Sequence, residues 1–258
     1  MTDLLAKLTA LTGIGADMLW LGLVVFLRVG AALSLAPAFG EQIIPARVRL
    51  AIAFAFTGIV APAAAESGQF AQVGLLGLGV EILIGLLLGI GLRLFILALH
   101  MAGSMAAQAT SLSQMFGGAG PEPQPAIGNL LVMAGLAVAV SLGLHIRLAQ
   151  FFLLSYQLLP IGQLPSPQDG TAWGLAQVTR AFSLGFAIAM PFAIASLLYN
   201  VALGAINRAM PALMVSFVGT PVLIMGGLVL MIISLPLALT LWSTAFNGFL
   251  SAPFAASP

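Results

Sequence analysis

FAQVGLLGLGVEILIGLLLGIGLRLFILALHM, residues Phe70–Met101, is apolar almost throughout and yet carries Glu81 and Arg93. About 20 apolar residues suffice for a helix to cross the hydrocarbon of a bilayer, so this stretch spans it with residues to spare. Glu81, Gly85, Gly89 and Arg93 recur at every fourth position and form one ridge of that helix. Glycines at this spacing let another backbone approach closely. A charge within an apolar span normally faces protein or a wet path, the blander alternative being a side chain that snorkels to an interface. Glu81 and Arg93 lie about 18 Å apart along the axis at ~1.5 Å per residue. They cannot pair with each other, so each needs a partner on another helix or a wet surface.

The rest of the chain agrees with a membrane protein whose helices face protein as much as lipid. Among 258 residues there are only eight Lys or Arg and seven Asp or Glu, 61% of residues are hydrophobic, and the formal net charge is +1. Mean hydropathy is +1.14 and the sequence pI is near 8.3. No polar stretch is long enough for a soluble domain, and no basic patch suits nucleic acid. The absence of cysteine excludes disulfides and thiolate chemistry. Met1–Asp17 has Lys7 as its one basic residue, unlike the n-region of a cleaved signal peptide. Ala36-Pro37-Ala38 imitates a cleavage site, but Arg28 interrupts the apolar run before it, so the first span is expected to be retained.

Apolar segments run over Met18–Phe39, Leu50–Ala65, Phe70–Met101, Ile127–Leu159, Ala181–Ile206 and Leu213–Leu250. The second is short for a perpendicular crossing, and the third, fourth and sixth are longer than one crossing requires. His145 and Arg147 break the fourth, and Pro221 and Pro236 interrupt the sixth. Proline removes a helix hydrogen bond and bends the axis. The expected fold class is therefore an all-α polytopic membrane protein of kinked helical hairpins. Linkers are expected at Gly40–Pro45, Glu66–Gln69 and Pro160–Gly170. Gly103–Gly128 passes through Met115-Phe116-Gly117-Gly118 into a proline-rich run that forbids regular helix. Arg47, Arg49 and Arg208 favour a cytoplasmic side for their loops, which places both termini outside if there are six spans.

Asn200, Gly204 and Arg208 repeat the four-residue pattern on the fifth segment, which Pro211 ends. This is a second candidate seam, with Arg208 alternatively a simple stop after the span. No intrachain partner for Arg28, Glu81 or Arg93 is evident, so a chain kept apart from partner subunits is expected to behave poorly. His100 and His145 stand in no ligand spacing, and no phosphate loop, dinucleotide fingerprint or nucleophile elbow occurs. A channel or assembled gate, a small-molecule secondary transporter and a membrane-embedded enzyme thus compete. The transporter lacks a convincing internal repeat, and the enzyme lacks a catalytic constellation.

Leu27-Arg28-Val29, Ala36-Pro37, Ile44-Pro45-Ala46-Arg47-Val48-Arg49, Leu159-Pro160-Ile161-Gly162 and the series Asn200, Leu203-Gly204, Asn207-Arg208, Pro211, Gly219 and Pro221 follow one another over nearly the whole chain. This ordered set resembles the FliR family of flagellar export-gate proteins, whose relatives include the matching component of virulence type III secretion systems. The resemblance implies a non-enzymatic subunit without cofactor or metal, in the bacterial inner membrane at the flagellar basal body. It implies FliP-like and FliQ-like partner subunits, an associated FlhB-like protein, contact with membrane lipid, and passage of unfolded flagellar proteins through the assembled pore. Residues 1–258 would form one FliR-like membrane domain, with a FliP-like part at 1–170 and a FliQ-like hairpin at 171–258. Much of such an assembly is raised out of the membrane plane. The loop at about Gln108–Gln124 would plug the closed pore, with Met115, Phe116, Gly117 and Gly118 at the constriction. Arg28, Glu81, Gly85, Gly89, Arg93, Asn200, Gly204, Arg208 and Pro211 would serve assembly. Ser104, Gln114-Met115-Phe116-Gly117-Gly118 and Ala212 depart from the family pattern, which bears chiefly on the plug.

Overall fold

The computed structural model describes residues 15–41, 43–65, 73–109, 126–209 and 215–254. Met115, Phe116, Gly117 and Gly118 of the expected plug, and Pro211, lie outside them. The described residues form α1 (Ala16–Leu35), α2 (Ala46–Ala65), α3 (Leu75–Ala109), α4 (Ala126–Ser141), α5 (Leu144–Leu158), α6 (Pro167–Ala209) and α7 (Val215–Ser251), and contain no strand. Five helices, α1, α2, α3, α6 and α7, are long and apolar enough to cross a membrane, and α4 with α5 makes a sixth span if the broken pair is counted as one. The protein is an all-α polytopic membrane protein.

Several boundaries differ from those the sequence suggests. α2 reaches back to Ala46 and includes Arg47 and Arg49, which makes it 20 residues and long enough to span. The fourth apolar segment breaks before His145, at Gly143, whose φ of 78° is left-handed backbone that a residue with a Cβ adopts only under strain. α7 runs on through Pro236 as one 37-residue helix rather than breaking there. The largest correction is α6, which starts at Pro167, inside the expected linker. Ser166 caps it: its hydroxyl accepts from Asp169 N at 3.1 Å and donates to the Asp169 carboxylate at 2.6 Å. Pro167 fills the first helical position, where a missing N–H is harmless, and Asp169 adds negative charge at the positive helix end. Hydropathy concealed this start because the first turns are polar. At 43 residues α6 is about 65 Å long, roughly twice the ~30 Å hydrocarbon core.

Two compact units divide the chain, one from residues 1–93, 142–176 and 248–258, the other from residues 94–141 and 177–247. In the first, α1 packs along α2 and α2 packs on α5. Phe56 meets Phe39 and Phe152 edge-on at 5.9 Å each, and Phe151 lies 5.7 Å from Phe249. Trp173 donates to Pro253 O at 2.6 Å, which ties the residues after α7 to the start of α6.

The second unit is organised by Trp242, which is fully buried and donates to Phe95 O at 2.9 Å. Its ring stacks on Phe246 at 5.0 Å, and Phe246 meets Phe95 at 5.3 Å. Glycines permit the close approach of α3 to its neighbours here. A Cβ on Gly103 would collide with the Gly128 backbone, and one on Gly185 would lie 3.0 Å from Ala98 O. Because lipid tails are as apolar as the side chains, helices in a bilayer associate by such contacts rather than by escape from water.

Gly103→Leu should therefore separate α3 from α4 at a backbone contact that no rotamer change relieves, at a cost of about 1–3 kcal/mol or more. Gly226→Leu, where an added Cβ meets nothing within 4 Å, should be neutral. Thermal unfolding of the detergent-extracted protein should show a lower midpoint for the first only; equal midpoints would contradict the packing.

Candidate functional site

Arg28 and Glu81 have no exposed surface, and they face each other from α1 and α3. Arg28 Nε donates to Glu81 Oε2 at 2.7 Å and Nη2 to Oε1 at 3.1 Å, a two-pronged pairing of planar groups. The remaining face of the guanidinium turns to the end of α5, where Nη1 donates to Ser155 O at 3.2 Å and Leu159 O at 2.9 Å. A cation there gives Leu159 O a donor, adds a second donor to Ser155 O, which already accepts from Leu159 N at 2.9 Å, and opposes the negative end of the dipole. Glu81 Oε1 also accepts from Gly162 N at 2.8 Å, in a turn where Gly162 has φ 75°. The Tyr156 ring covers the guanidinium at 3.9 Å. All three guanidinium nitrogens and both carboxylate oxygens thereby have hydrogen-bond partners, which is what burial of charge demands.

The ridge that begins at Glu81 continues against the same helix. A Cβ on Gly85 would strike Arg28 O, and one on Gly89 would lie 2.8 Å from Ala32 O. The contacts advance together, 28 with 85 and 32 with 89, so α1 and α3 run parallel where they touch. At the far end Arg93 Nη1 binds Glu41 Oε1 at 2.6 Å, with 32% and 27% of these side chains exposed. Such a half-exposed pair contributes about 0–1 kcal/mol; it fixes the turn after α1, whose Glu41 O also accepts from Arg49 Nη2 at 3.0 Å. The expectation that Arg28, Glu81 and Arg93 lack intrachain partners is corrected: tertiary contact brings partners from segments remote in sequence.

The second ridge has a different setting. Asn200 donates to Ser196 O within α6 at 2.9 Å, an added Cβ on Gly204 would meet nothing within 4 Å, and Asn200, Gly204 and Arg208 are all exposed. Around them α6 and α7 present large exposed apolar side chains, among them Leu197, Val201, Ile232 and Ile233. The two ridges are thus distinct in kind, one closed within the chain and one open. Among the described residues no group of three or more His, Asp or Glu side chains could hold a metal ion.

Ser155, Tyr156, Leu159 and Gly162 were not singled out as partners of Arg28 and Glu81 from sequence. Leu159-Pro160-Ile161-Gly162 carried a signal, a helix stop followed by glycine, but its contact with position 28 or 81 is a tertiary fact. Arg28→Leu should leave Glu81 as an unpaired buried charge and cost about 3–5 kcal/mol. Arg28→Lys should recover little, since one ammonium cannot reach both carboxylate and carbonyls. Tyr156→Phe should be tolerated, because the ring stays and the buried hydroxyl has no hydrogen-bond partner among the described residues. Membrane-extracted yield and thermal midpoint distinguish the three variants.

The sequence profile of bacterial export proteins, family 1, matches residues 19–249. A flagellar biosynthetic protein FliR of Caulobacter vibrioides is 33% identical over 91% of this chain and 96% of its own length. The proteins of that name from Aquifex aeolicus and Escherichia coli are 30% and 29% identical, over 88% and 84% of this chain and 90% and 86% of their own lengths. With a profile match over most of its length and a relative 33% identical over 91% of it, the chain belongs to the FliR family of bacterial export proteins.

Proposed function

We propose that this chain is a non-enzymatic core subunit of the flagellar type III protein export gate in the bacterial inner membrane. With FliP-like and FliQ-like subunits, and a FlhB-like protein associated, it forms the pore through which unfolded flagellar proteins leave the cytoplasm. The observation that carries this reading is the alignment with a flagellar biosynthetic protein over 91% of the chain. The open ridge at Asn200, Gly204 and Arg208 supports it, since a polar, glycine-bearing face flanked by exposed apolar residues suits a neighbouring helix better than lipid. The closed ridge at Glu81, Gly85 and Gly89 then positions the FliP-like part internally, and Met115, Phe116, Gly117 and Gly118 form the apolar plug. A hydrophobic constriction excludes water and ions by dewetting yet yields to a passing chain.

Deletion of the gene should abolish filament formation and release of hook and filament proteins while growth stays normal, and a tagged chain should co-purify FliP-like and FliQ-like subunits. Secretion that persists without the chain would reject the reading. Gly204→Leu and Arg208→Leu should lower recovery of the complex while membrane insertion of the chain is unchanged. Gly117→Asp should place a hydrated charge in the constriction and raise small-ion leakage through an assembled gate. Unchanged conductance in verified complexes would remove the plug role from these residues.

A further inference from the structure

Within the first unit, an apolar groove of about 300 Å³ opens between α1 and α2, lined by Phe26, Leu27, Gly30, Ala31, Leu50 and Ala53, with Ile82 of α3 and Arg49 of α2 at its border. Arg49 and Arg47 occupy the first turn of α2. Neither is neutralised: Arg47 is exposed and has no hydrogen bond or ion pair among the described residues. Arg49 Nη2 meets only the neutral carbonyls of Glu41 and Ile44, at 3.0 and 3.4 Å. Its Nε is buried with no partner among the described residues. The nearby acid, Glu41, is engaged by Arg93 at 2.6 Å. One cation without an acid, Arg49, therefore lines an apolar groove in a membrane protein, while Arg47, two positions earlier in the same turn, is not part of its lining.

We propose that this groove binds an anionic phospholipid, with one acyl chain between Gly30 and Ala53 and the phosphate set against Arg49. The phosphate supplies acceptors for the free donors, and basic clefts between membrane helices recognise anionic headgroups in this way. The groove favours an acyl chain over a partner helix, because a helix with its side chains is about 10–12 Å across and would need an acidic residue of its own at one fixed height. A polymethylene chain adapts to the irregular floor that Gly30, Ala31 and Ala53 leave.

Native mass spectrometry of the protein in its detergent-extracted assembly, with phosphatidylglycerol or phosphatidylcholine of the same acyl chains added, tests the site. Phosphatidylglycerol should be retained over phosphatidylcholine by about five-fold with Arg49 engaged, and Arg49→Gln should remove that preference. Arg49 also holds the turn at Glu41, so the thermal midpoint of Arg49→Gln is recorded beside retention, and Arg47→Gln, outside the groove, should leave the preference unchanged. Gly30→Leu should reduce retention of both lipids without altering charge. It is sterically permitted, since an added Cβ meets only the Phe26 ring at 3.8–4.0 Å. Equal retention of the two lipids, or retention indifferent to Gly30→Leu, would overturn the proposal. Displacement by millimolar inorganic phosphate alone would reduce the site to free-phosphate binding and overturn it too. A photo-crosslinker at Ala53 should capture lipid; capture of a partner subunit instead would assign the groove to protein.

Discussion

A buried arginine in an apolar chain must have its donors met, and Arg28 draws its acceptors from α3 and from the end of α5. This requirement connects three segments that hydropathy treats as unrelated. Glu81 is held in turn by the backbone N–H of Gly162, so the turn leading to α6 belongs to the same network. The arrangement has a direction. Positive charge lies at the carbonyl end of α5 and negative charge meets an N–H, so exchange of the two side chains would oppose like to like. A pair so placed selects one register among helices that apolar packing alone would let slide.

The second constraint is steric. Between helices in hydrocarbon, attraction comes from surfaces that fit, and the fit is set where side chains are absent. Gly85 and Gly89 admit the α1 backbone, Gly103 admits Gly128, and Gly185 admits the turn of α3 around Ala98. These contacts recur along α3, which serves within each unit as the helix its neighbours approach most closely. Aromatic residues fill the spaces between, with Trp242 and Phe151 fully buried.

What the chain leaves unpaired is also informative. The apolar faces of α6 and α7 and the ridge at Asn200, Gly204 and Arg208 are exposed, and among the described residues Asn200 bonds only to Ser196 of its own helix. The candidate residues thus fall into two groups: Arg28, Glu81 and Arg93 are paired within the chain, whereas Asn200, Gly204 and Arg208 stand exposed.

The sequence by itself determined the material of the fold: runs of apolar residues long enough to span a bilayer, a ridge of glycine and charge on α3, and an ordered set of short motifs that identifies the family. Composition and four-residue spacing are local quantities, so they survive translation into helices. Helix limits were less legible where signals opposed each other. The polar turns from Pro167 to Arg180 hid the start of α6 from hydropathy, although Ser166-Pro167-Gln168-Asp169 is a recognisable cap, and Pro236 lies within one continuous helix. Only tertiary structure decided who meets whom. That Arg28 binds Glu81 and caps α5, that Arg93 holds Glu41, and that Gly204 faces open space depend on how remote segments are brought together. Spacing along one helix fixes which side chains share a face, but it carries no information about what that face will meet.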